Sequence, residues 1–232
     1  MKPAVGVIGL GIMGGAMAEA LLAADYKVCG YDPSAAAQRR FKKAGGKVLA
    51  SAAAVARNAN VVIMSLATVR ALKAVTNEVA AAKFARKPIV IETSTLPIAD
   101  KERTAAAFAR AGMRTLDCPI SGTAARMKER AWTIFVSGEP KACRVAEPIL
   151  RVFTDNVPQV GPFGHGTRRK VVRTALIVMS VMGSSLKFRS DTVRHSHHSL
   201  ASAPACRRSK SSGQDAQNPA GSSSSRATTA QI

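Results

Sequence analysis

From residue 4 to about residue 160, short β-branched runs alternate with alanine-rich stretches in which apolar positions recur at helical spacing. The runs at 4–8, 27–31, 47–49, 60–65, 88–92, 113–117, 132–137 and 157–160 read as strands, bounded by Gly, Pro, Asn and Ser. The stretches at 16–22, 34–44, 51–58, 68–82, 98–111 and 141–153 read as helices, and a further helical stretch covers 170–182. Strict alternation of this kind predicts an α/β chain with a doubly wound, mostly parallel sheet. Right-handed crossovers then place a ligand crevice at the carboxyl ends of the strands. Asp32, Ser65, Thr93, Ser94, Thr95 and Ser121 all fall at or just past such ends.

The turn between the first strand and the first helix is the most specific feature of the pattern. Gly9, Leu10, Gly11, Ile12, Met13 and Gly14 form a G-x-G-x-x-G turn. Gly9 permits the tight turn, Gly11 lets the backbone approach a pyrophosphate, and Gly14 lets the helix pack closely on the strand. A pyrophosphate there faces the positive end of the helix. The second run ends in Asp32, where an acid is needed to hold the ribose hydroxyls of a dinucleotide. The cofactor expected is NAD, because a carboxylate repels a 2′-phosphate; NADP is the alternative, since Arg39 and Arg40 follow within one helix.

The pattern changes near residue 184. The remainder, 184–232, is rich in Ser and basic residues, crowds His195, His197 and His198 together, and shows no hydrophobic periodicity. It is too polar to offset its ordering entropy and is expected to be a disordered tail. The three histidines have no acid or cysteine at ligand spacing, so no metal site is expected. The organisation predicted is therefore a domain over 1–163, an exit helix over 164–183, and the tail.

Composition narrows the partners only coarsely. Aromatics are 4% of the 232 residues, so the core is built from Ala, Val, Leu and Ile. A formal net charge of +20 attracts phosphate-bearing cofactors, carboxylates, nucleic acid and acidic surfaces alike. The basic residues are scattered and no DNA-reading motif is present, so nucleic acid is not the expected partner. Cys29, Cys118, Cys143 and Cys206 show no paired spacing, which reads as free thiols in a reducing, cytoplasmic setting. The glycines interrupt the N-terminal apolar stretch where a signal peptide would be continuous, and no run is long enough to suggest a membrane span.

Two segments offer chemistry. Gly161 to Lys170 is a second glycine-rich turn that places Lys170 on the first turn of the exit helix. Either Lys170 faces a nicotinamide and exchanges a proton with a substrate hydroxyl, or it belongs to a solvated basic turn with Arg168 and Arg169. The run from Asp117 to Thr123 ends a strand, and its N–H groups and hydroxyls are suited to a small carboxylate. Its alternative is a helix N-cap before Ala124.

Four blocks in order, Gly9 to Gly14, Glu92 to Thr95, Asp117 to Gly122 and Gly164 to Lys170, resemble the β-hydroxyacid dehydrogenase family. That family includes 3-hydroxyisobutyrate dehydrogenase and tartronate semialdehyde reductase. The resemblance implies a Rossmann-type domain and transfer of hydride between nicotinamide and a small β-hydroxyacid or its semialdehyde. It implies Lys170 as catalytic acid/base and Ser121, Gly122 and Thr123 as substrate-binding. It implies Gly9, Leu10, Gly11, Ile12, Met13, Gly14, Asp32, Leu66 and Thr95 as cofactor-binding. Imine reductases are similar too, but there the lysine is typically replaced, so Lys170 favours hydroxyacid chemistry.

Three departures qualify this. Thr123 stands where glycine is common, and Arg173 and Thr174 stand where an asparagine usually follows the lysine by one turn. Relatives continue into an all-α domain that closes the site and builds a dimer or tetramer, whereas this chain continues into the Ser-rich segment. The expectation is a frameshifted or truncated chain with impaired oligomerisation and uncertain turnover. A natural basic tail is the rival account of residues 184–232. The rival function is a non-catalytic nucleotide sensor or nucleic-acid binder on the same scaffold.

Overall fold

The computed structural model describes residues 2–127 and 129–185. The tail expected over 184–232 lies, beyond Ser185, outside the described residues.

Six parallel strands form the main sheet: β1 (Val5–Ile8), β2 (Val28–Tyr31), β3 (Lys47–Val48), β4 (Val61–Met64), β5 (Ile89–Glu92) and β6 (Arg114–Asp117). Their spatial order is β3-β2-β1-β4-β5-β6. The chain starts at the centre, winds outward to β3, then crosses back to β4, which makes the gap beside β1 the topological switch point. Connecting helices are α1 (Ile12–Ala23), α2 (Ala35–Lys43), α3 (Ala52–Asn58), α4 (Val69–Ala80) and α5 (Ile98–Arg110).

The alternation within each strand sorts the core into two layers. Val5, Val7, Val61 and Ile63 face one side, where Met17 and Leu21 of α1 and Ala146 and Ile149 pack on them. Ile8, Val62, Met64 and Val90 face the other, against Val55, Leu72 and Phe108 from α3, α4 and α5. Strands covered on both faces carry apolar residues throughout, which is why these runs stand out in the sequence.

Beyond β6 the pattern is less regular. β7 (Ile120–Ser121) and β8 (Thr133–Ile134) form a separate antiparallel pair flanking α6 (Ala124–Met127), followed by α7 (Pro140–Leu150) and α8 (His165–Ser185). The strands expected at 132–137 and 157–160 are not members of the main sheet. Residues 132–137 are all buried, so the run reads as strand, but its hydrogen bonds are divided among several partners. The N–H of Ile134 goes to Asn156, that of Val136 to Pro158, and that of Ser137 to Asp117. Residues 157–160 contribute only the isolated bridge between Gln159 and Val136.

Candidate active site

The three glycines of the first turn are required for different reasons. Gly9 has φ +90°, and a Cβ there would lie 2.2 Å from the Ser65 carbonyl oxygen. A Cβ on Gly14 would lie 1.8 Å from the Gly9 carbonyl oxygen. Protein packing alone demands both. A Cβ on Gly11 would meet nothing within 4 Å, so the space before it is open to a ligand. Gly11 caps α1 without a side-chain hydrogen bond, and Gly11 to Gly14 line a cavity of about 410 Å³. An open approach at a helix N-terminus fits a pyrophosphate.

Asp32 fixes the neighbouring loops. One carboxylate oxygen accepts the Leu10 N–H at 2.8 Å, and the other accepts the Ser34 N–H at 2.8 Å. Leu10 is 1% exposed and its side chain sits in the core, so only its backbone is available at the turn. A cavity of about 400 Å³ beside Asp32, lined also by Gly9, Gly11, Tyr31, Pro33 and Leu66, has the position of an adenosine pocket. Leu66 reaches both this cavity and the one at α1, and its N–H is held by Ser94 Oγ at 2.8 Å. Ile12 is 82% exposed at the start of α1 and lines the 410 Å³ cavity with Met13.

Lys170 lines the same cavity as Gly11 to Gly14, together with Thr95 and Gly122. Its Nζ donates to Thr95 Oγ1 at 2.5 Å. Burial pushes the Lys170 amine below the ordinary lysine value, and the positive charge of Lys101 adds to the effect. Lys170 also borders a second, apolar cavity of about 600 Å³ formed with Pro97, Pro119, Val171, Thr174 and Val178. One amine therefore touches both spaces.

Of the expected substrate-binding residues, Gly122 lines the first, 410 Å³ cavity, whereas Ser121 and Thr123 do not. Gly122 has φ +147°, and a Cβ would fall 2.4 Å from Trp132 Cδ1. The buried Trp132 also donates from Nε1 to the Thr123 carbonyl at 2.6 Å. One indole thus fixes the loop from below. Arg173, one turn beyond Lys170, donates to Thr133 Oγ1 at 2.7 Å and lies over the Phe135 ring at 6.0 Å.

α8 begins at His165, one residue after the expected start of the exit helix at 164, and Lys170 falls on its second turn and not on the first. The cap comes from β6, which is why no local signal marked it. Asp117 accepts the Thr167 N–H at 2.7 Å through one carboxylate oxygen and the Thr167 hydroxyl at 2.7 Å through the other. Ser137 Oγ accepts the Gly166 N–H at 2.9 Å. Gly166 is needed because a Cβ would lie 2.7 Å from the Asp117 carbonyl oxygen.

Sequence reasoning missed the group beneath this cap. Lys101 is fully buried, with its Nζ 2.7 Å from Glu92 Oε2 and 2.5 Å from Asp117 Oδ1. It also donates to the Ser94 carbonyl and to Thr167 Oγ1, both at 3.0 Å. Burial disfavours this ammonium, but Glu92 and Asp117 outweigh it and raise Lys101 above its ordinary value. A signal was present: Lys101, Thr104 and Phe108 are the buried positions of α5, spaced i, i+3, i+7. A lysine on that stripe is a charge on a core face.

A six-stranded sheet with this order, a glycine turn at the switch point and a cleft running from Asp32 to Lys170 define a dinucleotide-binding domain. Residues 4–161 match the family model described as the NAD binding domain of 6-phosphogluconate dehydrogenase, and the chain belongs to that family. It is 32% identical over 179 residues to L-threonate dehydrogenase of Cupriavidus necator, covering 76% of this chain and 60% of that protein. It is 30% identical over 186 residues to human mitochondrial 3-hydroxyisobutyrate dehydrogenase, covering 79% and 55%. Among solved structures, the Mycobacterium tuberculosis 3-hydroxyisobutyrate dehydrogenase with L-serine aligns with TM-score 0.70 and 27% identity, covering 79% of this chain and 67% of that one. The chain thus spans little more than half the length of the two curated relatives described. Among the described residues no helix is long and apolar enough to cross a membrane.

Proposed function

We propose that this chain carries the cofactor-binding and acid/base parts of an NAD-dependent oxidoreductase acting on a small β-hydroxyacid, of the 3-hydroxyisobutyrate or tartronate semialdehyde type. The observation that carries the reading is the Lys170 amine, placed in the cleft on Thr95 and shifted toward its neutral form. The similarity to L-threonate and 3-hydroxyisobutyrate dehydrogenases supports it.

A bound nicotinamide cofactor supplies or accepts the hydride. The turn from Gly9 to Gly14 holds its pyrophosphate, and Asp32 holds the adenosine ribose and disfavours a 2′-phosphate. Thr95 accepts a hydrogen bond from Lys170 and aims the amine into the cleft. In oxidation, neutral Lys170 takes the proton from the substrate hydroxyl; in reduction, protonated Lys170 returns it. The backbone and hydroxyls of Ser121, Gly122 and Thr123 hold the substrate carboxylate.

Titration with NADH, followed by turnover on a panel of 3-hydroxyacids, tests the reading. Lys170→Ala should lower turnover by about a hundredfold while leaving NADH affinity in place. Oxidation should rise, and reduction fall, as pH increases through a midpoint below the ordinary lysine value. Turnover that survives Lys170→Ala removes the lysine from the mechanism. NADH binding without turnover on any hydroxyacid removes the oxidoreductase reading for this chain.

A further inference from the structure

We infer that Lys101 is a positioning residue for Lys170, acting through Asp117 and Thr167 from a fully buried site behind the cleft. The inference deepens the acid/base reading of Lys170 and rests on it.

The path is continuous. Lys101 Nζ bridges Glu92 at the end of β5 and Asp117 at the end of β6, at 2.7 and 2.5 Å. Its third partner among side chains is the Thr167 hydroxyl at 3.0 Å, which in turn donates to Asp117 Oδ1 at 2.7 Å. Thr167 is three residues before Lys170 on the same helix. The ammonium therefore grips the first turn of the helix whose second turn carries the reacting amine. The Ser94 carbonyl, beside the Thr95 that receives Lys170, is held by the same Nζ at 3.0 Å. Both ends of the Lys170–Thr95 contact are thus fixed from one buried cation.

Charge adds to geometry. Glu92 on β5, Asp117 on β6 and Lys101 on α5 surround the start of α8; Glu102 on α5 pairs with the exposed Arg168 of α8 at 3.4 Å, and Arg169 and Arg173 are exposed as well. A helix could have been capped by Asp117 alone. A buried ammonium within the cap costs desolvation that a neutral side chain would avoid. Its presence opposes the two carboxylates and favours the uncharged form of Lys170.

Competitive acetic anhydride labelling over a pH series, with mass spectrometric reading of the Lys170 peptide, measures the amine's midpoint whether or not hydride is transferred. A failure here therefore stays distinct from a failure of the dehydrogenase reading. Lys101→Met should raise the proton affinity of Lys170 about tenfold, since two carboxylates then lose their counter-charge. Lys101→Arg should restore the midpoint to within about twofold while still melting below the parent, because the larger guanidinium fits the site poorly. A role in packing alone predicts the converse, with the midpoint following the melting temperature in both variants.

Thr167→Val retains all three buried charges and cuts the hydroxyl link, and should raise the proton affinity by a few-fold as α8 loosens and Lys170 gains water. It decides the matter if Lys101→Met does not fold. An unchanged Lys170 midpoint in folded Lys101→Met, or in Thr167→Val, overturns the inference.

Discussion

The two glycine-rich turns of this chain do the same job by different means. The turn at Gly9 to Gly14 is built by backbone alone: a positive φ, two approaches too close for a Cβ, and the end of α1. The turn at Gly161 to Thr167 also contains glycines with positive φ, at Gly161 and Gly164. However, its helix is started by side chains that arrive from β6, α5 and residue 137. In the proposed reading the first turn meets its ligand with peptide groups, which cannot be substituted. The second positions a side chain with other side chains, which can be altered one at a time.

That contrast is broken most severely at Gly14. Gly14→Ala places a methyl 1.8 Å from a backbone oxygen with no flexible neighbour to yield, and should cost more than about 4 kcal/mol, read as loss of the cooperative thermal transition. At the second turn, Asp117→Ala removes the Thr167 half of the α8 cap, leaving Ser137 on Gly166, and leaves Lys101 paired with Glu92 alone. Removing one partner of a buried ion pair costs about 3–5 kcal/mol, to be checked by urea denaturation. The sharpest separation comes from Gly11→Ala. The added methyl meets no protein atom, so stability should stay within about 1 kcal/mol of the parent. NADH affinity should nevertheless weaken by about tenfold or more, because the open space is the ligand's. Unchanged affinity in Gly11→Ala would remove the pyrophosphate from this turn.

The same contrast explains what could be read in advance. β1, β2, β4 and β5 fall within the expected runs because strands buried on both faces are nearly continuous apolar segments, and β6 falls within its run although Arg114 is exposed and Thr115 half-buried. The first turn was legible because its glycines, strand and helix are contiguous. Residues 132–137 hold a strand as expected, but only the short β8, because the partners of their N–H groups are scattered from Asp117 to Pro158. The helical periodicity alone marks α8 only from residue 170, because the cap of its first turn lies 50 residues upstream, at Asp117. Lys101 escaped notice because a lysine in an exposed-looking helical stretch shows its meaning only when Thr104 and Phe108 are seen on the same stripe.

α8 behaves mechanically as a cantilever. It is clamped through Gly166 and Thr167, and touched again at Lys170 and Arg173. Beyond that, Leu176, Ile177, Val178 and Met179 are 49–69% exposed. At 1.5 Å per residue, Lys170 lies about 4.5 Å from the clamp at Thr167 and Met179 about 18 Å from it. A rigid tilt of the rod about its clamp therefore displaces Met179 about four times as far as it displaces the Lys170 backbone. The Lys170 amine sits near the fulcrum, where a load on the distant end disturbs it least.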